Sequence, residues 1–434
     1  MASAKQDNSL LAPWAEPAWH YIQSPYYNGS HRRLRDALRA YLDEHIIPNA
    51  LDWEEQGGAP RDEALKWTKT GFVHTDVPKQ YRPSSLPDPA GIPLDKLDAF
   101  HLLIMTDESS RVPAGGVGTS LSGASIIGIP PVIHHGSEEQ KQKWLPGLFS
   151  WETSFCLGIT EPGAGSDVAN IQTTAVKSSD GSHYIVNGHK KWITGAPWAT
   201  HMTTAVRTGG PGMNGISVIV IPTNSPGFSS RRIANSGQKA GGASFIELDN
   251  VCVPVSNLLG QENKGFSIIM VNFNRERFVM AVGCNRRARE CLSDSFAYAI
   301  KRHTFGKPLL SNQIIRSKLT RIARDVESHW AFLEQICYHV QQSTDGWQSH
   351  EIAGRIALAK IMGGRMLEKA AREAQQIFGG AGYQKGNGVG GAVEQTTRDL
   401  RMMVVGGGSE EILSDLAIKQ EMSEAKRRGW IAKL

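Results

Sequence analysis

Ser154-Phe155-Cys156-Leu157-Gly158-Ile159-Thr160-Glu161-Pro162-Gly163-Ala164-Gly165-Ser166-Asp167 reads as a strand, Ser154 to Ile159, running into a glycine-rich turn. Such a turn exposes backbone N–H groups and small hydroxyls, and can hydrogen-bond a planar heterocycle or an acyl thioester without side-chain obstruction. The strand opens a region whose hydrophobic period is two, up to about Leu259. Within it, Tyr184-Ile185-Val186, Asn187-Gly188 and Lys191-Trp192-Ile193 predict a hairpin. Ile216 to Ile221 predicts a buried strand ended by Pro222. Phe245-Ile246-Glu247-Leu248, a turn, and Val251-Cys252-Val253-Pro254 complete a set of short antiparallel strands.

Outward from that region the period is helical. On the N-terminal side Arg32, Leu34, Ala37, Leu38, Tyr41 and Leu42 recur at helix spacing, as do Asp95, Leu97, Phe100, Leu103 and Ile104. Pro78, Pro83, Pro87 and Pro93 break the pattern between them, and Gln140 to Leu148 reads as a short closing helix. After Gly265 helices return, interrupted at Gly379-Gly380-Ala381-Gly382 and Gly406-Gly407-Gly408. Helices, then strands, then helices exclude a doubly wound βαβ sheet, which alternates, and predict an α+β fold. The expected parts are an N-terminal arm (1–30), an N-terminal α-helical domain (31–153), a middle antiparallel, barrel-like β domain (154–262) and a C-terminal four-helix-bundle domain (263–434).

The 434 residues are 40% hydrophobic and 21% charged, which excludes disorder as the main state; a net charge of +5 is no nucleic-acid polycation. Five cysteines without a CxxC pair predict buried, reduced thiols and no metal or disulfide framework. The sequon Asn28-Gly29-Ser30 matters only in a secreted chain, and no signal peptide precedes it. The uncharged stretch from Val112 to Ile133 carries too many small residues before Pro130-Pro131 for a membrane span, so a soluble protein with a buried helix there is expected. Gly386-Asn387-Gly388-Val389-Gly390-Gly391 matches a dinucleotide-binding string but follows a helical segment, Ala374 to Phe378, where a strand is required. His134-His135 with Glu138-Glu139 reads as the surface start of a helix and not as metal ligands. The terminal Ala432-Lys433-Leu434, behind basic Lys426-Arg427-Arg428, resembles a peroxisomal address, with a mitochondrial or cytosolic location as the alternative.

The segment Cys156 to Val168 resembles the first signature of the acyl-CoA dehydrogenase family. The likeness continues through Asn187-Gly188-His189-Lys190-Lys191-Trp192-Ile193-Thr194, Arg302-His303-Thr304-Phe305-Gly306-Lys307-Pro308, Gln376-Ile377-Phe378-Gly379-Gly380-Ala381-Gly382-Tyr383 and Arg398-Asp399. It spans roughly residues 30 to 420, and the family's α, β, α domain order matches the texture above. The resemblance implies that Leu157, Ile159, Thr160, Trp192 and Thr194 line the flavin ring of FAD and that Ser166 lies near the acyl thioester. It implies that Arg302, Thr304, Phe305 and Gln313, with Gln376 and Gly380, reach the adenosine-diphosphate half of an FAD held by a neighbouring subunit of a homotetramer. Ser409 and Glu411 complete the implied cofactor set, and Asn274 and Arg277 the substrate set. Taken alone, Arg302 and Phe305 read as a helix end and a core aromatic.

The catalytic base marks a departure. Where many relatives carry a glutamate in a Tyr-Glu-Gly-Thr string, this chain has Gly407; sliding Glu410 or Glu411 into the role needs a gap. The isovaleryl-CoA and long-chain branch also lacks that glutamate and places the base on the first long C-terminal helix, here Glu276 in Phe273-Asn274-Arg275-Glu276-Arg277-Phe278. A surface salt bridge to Arg275 or Arg277 is the competing role for Glu276. In the implied chemistry the thioester carbonyl is polarised by a backbone N–H, that of Gly407 or a near neighbour, and by a ribityl hydroxyl of FAD. A desolvated glutamate then takes the α-proton while the β-hydride leaves for the flavin, giving a trans-2-enoyl-CoA. Electrons pass on to an electron-transferring flavoprotein. Two alternatives stand beside this: a peroxisomal oxidase that passes electrons to oxygen, and a non-catalytic FAD-binding member, motivated by Gly407. Lys239-Ala240-Gly241-Gly242-Ala243 departs from the family string near the acyl and CoA entrance, and the aromatic N-terminus (Trp14, Trp19, Tyr21, Tyr26, Tyr27) has no family counterpart and is expected to pack across the body.

Overall fold

The computed structural model describes residues 12–431, so Ala432-Lys433-Leu434 lies outside the described residues. The N-terminal third forms short helices, α1 (Gly29–Tyr41), α2 (Ala50–Gln56), α3 (Arg61–Lys69), α4 (Ala99–Ser109), α5 (Gly115–Ser122), α6 (Ser125–Gly128), α7 (Pro130–His135) and α8 (Glu138–Trp144). Eight strands follow: β1 (Phe155–Gly158), β2 (Thr174–Lys177), β3 (His183–Ile193), β4 (His201–Arg207), β5 (Ile216–Pro222), β6 (Phe228–Arg232), β7 (Ser244–Pro254) and β8 (Leu258–Leu259). The rest is α9 (Gly265–Lys301), a two-residue ribbon of β9 (His303–Thr304) and β10 (Lys307–Pro308), then α10 (Gln313–Gln342), α11 (His350–Phe378), α12 (Gly391–Val405) and α13 (Glu410–Arg427). The α, β, α order is that expected. Among the described residues no single helix is long and apolar enough to cross a membrane; the Val112 to Ile133 stretch is broken between α5 and α7.

Two compact units divide the chain. Of the described residues, one takes those up to Arg39, Asp98–Pro113 and those from Arg277 on; the other takes Ala40–Leu97 and Ala114–Glu276. In the second unit the sheet runs β6-β7-β3-β2-β4-β5-β8, with β1 beside β4. Most pairs are antiparallel, but β1 and β2 both lie parallel to β4, with Phe155 opposite His201, Gly158 opposite Thr204 and Thr174 opposite Arg207. The β5 run shows why it forms: Ile216, Val218 and Val220 join a core shared with Trp144, Leu148 and Phe149. Ile219 and Ile221 point to the other face and meet Val186, Met202 and Val251.

The expected hairpin at Asn187-Gly188 is absent. β3 runs through it without turning and pairs along β7, itself unbroken across the turn expected before Val251, with a register shift between Val186 and Gly188. Gly188 serves a close approach instead: a Cβ there would lie 2.7 Å from the Thr173 Cα. Asn250 keeps β7 continuous by taking a left-handed φ of 51°.

In the first unit α9, α10, α11 and α12 share a core of Cys284, Leu292, Ile322, Val326, Leu367 and Val393. Cys156, Cys284, Cys291 and Cys337 are buried and free, but Cys252 is exposed on β7, against the expectation that all five are buried. The described part of the N-terminal arm packs as expected. Trp19 stacks on Tyr27 (4.2 Å between centroids), whose hydroxyl donates to Glu334 at 2.7 Å. Glu16 receives Arg39 (2.9 Å) and the fully buried Arg286 (3.0 Å), and the Trp14 carbonyl accepts from Arg289 at 3.0 Å.

Candidate active site

The glycine-rich turn after β1 is shaped by a buried ion pair. Lys190 donates to the Glu161 Oε1 at 2.7 Å and to the Ile159 carbonyl at 3.1 Å. The same carboxylate accepts the backbone N–H groups of Gln172 (2.6 Å) and Thr173 (3.0 Å). Burial alone would raise the Glu161 carboxyl, but Lys190 and these donors hold it below the usual range; burial pushes Lys190 down to about 8. Glu161 also closes the turn through reciprocal backbone bonds with Ala164.

The Lys191 N–H donates to the Thr160 carbonyl at 2.8 Å, which brings Leu157, Ile159 and Thr160 beside Trp192 and Thr194 at the end of β3. Trp192 holds an exposed ring on a left-handed backbone (φ 65°), and Ser166 is exposed in the turn. Next to Thr194, the Gly195 N–H donates to the Gly241 carbonyl at 2.9 Å. The Lys239-Ala240-Gly241 segment is held by Glu54, whose carboxylate accepts the Lys239 and Ala240 N–H groups at 2.5 and 3.1 Å.

On α9, Asn274, Glu276 and Arg277 are all half-buried. Asn272 donates to Glu276 Oε1. Arg275 is paired with Asp76 (2.7 Å), and Arg277 Nε donates to the Gly407 carbonyl at 2.9 Å. Gly407 and Gly408 have φ of 66° and 112°, conformations that favour glycine. Lys360 of α11, almost fully buried, donates to the carbonyls of Val404 and Gly408, the latter at 2.8 Å. Among the described residues the N–H groups of Gly407 and Gly408 donate to no acceptor. Ser409 is the N-cap of α13, its side chain makes no cap bond, and Glu411 lies in the first turn.

Arg302, Thr304 and Phe305 leave the end of α9 through the β9–β10 ribbon, and Gln313 starts α10. Tyr298, one turn before Arg302, stacks on Phe378 at 4.5 Å, which brings Gln376 and Gly380 to the same end of the bundle. Phe305 is fully exposed on a left-handed backbone (φ 52°) and is not the core aromatic it resembles in isolation. Arg302, Gln313, Gln376 and Gly380 are exposed too, and a Cβ on Gly379 or Gly380 would meet open space.

Three family descriptions match in order: the acyl-CoA dehydrogenase N-terminal domain over 28–152, the middle domain over 156–251 and the C-terminal domain over 263–422. The chain belongs to the acyl-CoA dehydrogenase family. An acyl-CoA dehydrogenase of Emericella nidulans is 41% identical over 415 residues, covering 94% of each chain. The mitochondrial isovaleryl-CoA dehydrogenase of Pongo abelii is 30% identical over 387 residues, covering 88% of this chain and 86% of its own. The crystal structure of a probable acyl-CoA dehydrogenase from Mycobacterium abscessus superposes with a TM-score of 0.82 at 32% identity, covering 91% of this chain and all of its own. The protein is thus an oxidoreductase of acyl-CoA dehydrogenation, in a family of FAD-binding flavoproteins.

Three residues that shape these two glycine-rich turns escaped the sequence reading. Glu161 and Lys190 sit inside two of the signature strings, but nothing in either string says that they meet. Lys360 left one signal, a lone cation on the apolar face Ile356, Ala357, Lys360, Gly363, Gly364, Leu367 of α11.

Proposed function

We propose that the protein is an FAD-dependent acyl-CoA dehydrogenase that converts an acyl-CoA to its trans-2-enoyl-CoA, with Glu276 as base. The observation that carries this reading is the Gly407–Gly408 turn, whose two N–H groups are left without acceptors on a backbone fixed by Arg277 and Lys360. Such donors suit a thioester carbonyl as it gains enolate character. Glu276 then takes the proton from Cα, and the Cα–H electron pair becomes the new double bond as hydride leaves Cβ. FAD, when bound, supplies the hydride acceptor. Asn274 and Arg277 serve the substrate from the same helix, and Ser166 from the glycine-rich turn.

The residues fit FAD. Two aromatic rings, Trp192 and Phe305, are exposed on backbone that L-residues adopt at a cost, as expected of side chains kept for a ligand. Leu157, Ile159, Thr160, Trp192 and Thr194 would hold the ring system; Arg302, Thr304, Phe305, Gln313, Gln376 and Gly380 would hold the adenosine-diphosphate half from a second subunit, with Ser409 and Glu411 at the α13 N-terminus. The shared site requires an oligomer, for which a homotetramer is proposed; sedimentation checks it, and a monomer overturns it. Electrons pass to an electron-transferring flavoprotein or, in the oxidase variant of this reading, to oxygen. The peroxisomal address read in Ala432-Lys433-Leu434 is likewise a proposal; appended to a fluorescent protein, the segment should deliver it to peroxisomes, and a diffuse signal overturns it.

An anaerobic titration with short, branched and long acyl-CoAs, following the visible flavin band, tests the reading. Bleaching by one class names the substrate. Fast recovery in air with peroxide makes the enzyme an oxidase, and slow recovery a dehydrogenase. No flavin band after FAD has been offered, or no bleaching by any thioester, overturns the proposal.

A further inference from the structure

We propose that Lys360 is a positioning residue for thioester activation: its ammonium, hydrogen-bonded to the Val404 and Gly408 carbonyls, staples the two ends of the Gly406-Gly407-Gly408 turn and orients the amides that polarise the acyl-CoA carbonyl. The inference rests on the dehydrogenase reading of this turn. Three consecutive glycines lose more backbone entropy on ordering than any other tripeptide, so a turn built of them holds one shape only if something fixes it. Lys360 bridges the last turn of α12 and the residue before Ser409, and so straddles all three glycines. Arg277 holds the middle carbonyl at 2.9 Å. Because C=O and N–H of a trans peptide point opposite ways, Arg277 on Gly407 turns the Gly408 N–H away from itself, and Lys360 on Gly408 does the same to the Ser409 N–H. A cation on the carbonyl also makes the N–H of that peptide a stronger donor.

The surroundings of Lys360 argue against mere packing. Among the described residues no carboxylate lies within ion-pair distance of its ammonium. A methionine would fill the same space without the cost of desolvating a charge. The charged and titratable groups around it are Arg277 and Cys284 from α9 and Glu410 from α13, whose carboxylate is spent on Arg365. Burial brings Lys360 down to about 8, while Cys284 is pushed up to about 12. The Lys360 cation predominates below about 8 and the neutral amine above it.

The test uses the FAD-loaded enzyme and the trans-2-enoyl-CoA of the chain length that bleaches the wild type, labelled with carbon-13 at the thioester carbonyl. Infrared difference spectra read how far the bound carbonyl stretch is pulled below that of the free thioester. In Lys360→Met the stretch should move back toward the free value, and kcat should fall about tenfold or more with KM within about threefold. In the wild type the pull should weaken as pH rises through 8. Lys360→Arg, which keeps its charge, should retain the pull and lose the pH step, and this separates Lys360 from Lys190, the other lysine near 8. An unchanged stretch in Lys360→Met, with any lost rate accounted for by lost FAD or a lower Tm, overturns the proposal. A wild type that no thioester bleaches overturns the dehydrogenase reading itself, and this proposal with it.

Discussion

Alanine at position 407 meets two obstacles. The backbone φ of 66° lies where side chains are strained, and the added Cβ would sit 2.8 Å from the Met280 Sδ. Relief of either moves the peptide that carries the donor N–H groups, so Gly407→Ala should lower the rate of flavin reduction by about 10²-fold, the loss typical of one displaced oxyanion donor, while FAD content holds. Glu276→Gln should abolish flavin reduction and leave thioester binding in place, since the amide keeps the shape but cannot take the α-proton; activity equal to wild type removes Glu276 from the role. Lys190→Met leaves the Glu161 carboxylate buried without its cation, at a cost of about 3–5 kcal/mol in urea unfolding. The double variant Lys190→Met, Glu161→Gln should recover part of that loss. A single variant as stable as wild type removes the ion pair from any account of the turn. At this scale the sequence marked Gly407 and Glu276 as candidates, because each departs from or fills a position in a known string. Lys190 and Lys360 were not, because their partners are a distant side chain and backbone carbonyls, which no local spacing encodes.

Helices and strands were legible by period, and the errors have a common cause. Asn187-Gly188 and the stretch before Val251 carry turn residues, yet β3 and β7 run straight past each other as eleven-residue partners. Turn chemistry there absorbs a bulge and a close contact with Thr173 rather than reversing the chain. Long-range pairing along β7 outweighs the local preference of two residues. The N-terminal arm shows the reverse case, in which aromatic content announced packing but not its electrostatics. Burial alone would raise the Glu16 carboxyl, but Arg286 and Arg39 hold it well below the usual range. Glu16→Gln removes the carboxylate common to two guanidiniums, though each keeps another partner, Asp107 for Arg286 and Glu108 for Arg39. The expected loss is about 1–3 kcal/mol in urea. A variant unchanged in its unfolding midpoint would mean that the aromatic stacking of Trp19 on Tyr27 holds the arm by itself.

Across the molecule, half-buried and buried histidines set the response to acid. Burial lowers His74, His201 and His329 to about 4 each, and His20, despite Glu16 beside it, to about 3. His329 shows the reason in its contacts: one ring nitrogen meets the Ala359 carbonyl at 2.8 Å and the other the Asn285 amide at 3.1 Å, an arrangement made for a neutral ring. Between pH 4 and 6.5 the unfolded chain protonates these imidazoles and the native one does not. The unfolded state therefore binds more protons, and stability falls as pH falls through that window. Asp294 opposes them: burial and Glu290 push it up to about 7, so the native state holds a proton there that the unfolded chain has released above its ordinary value near 4. Burial lowers His134 and His135 in the same sense and raises Glu108, Glu290 and Glu334 in the sense of Asp294, so six imidazoles stand against four carboxyls; the balance is a net uptake of protons on unfolding near pH 5, each worth about 1.4 kcal/mol per pH unit. Tm measured from pH 7 down to pH 5 should therefore drop, and His329→Gln, which cannot take up that proton, should drop less steeply than wild type. A Tm that is flat or rises toward pH 5 would mean that the carboxyl protons, not the imidazoles, govern the acid limb.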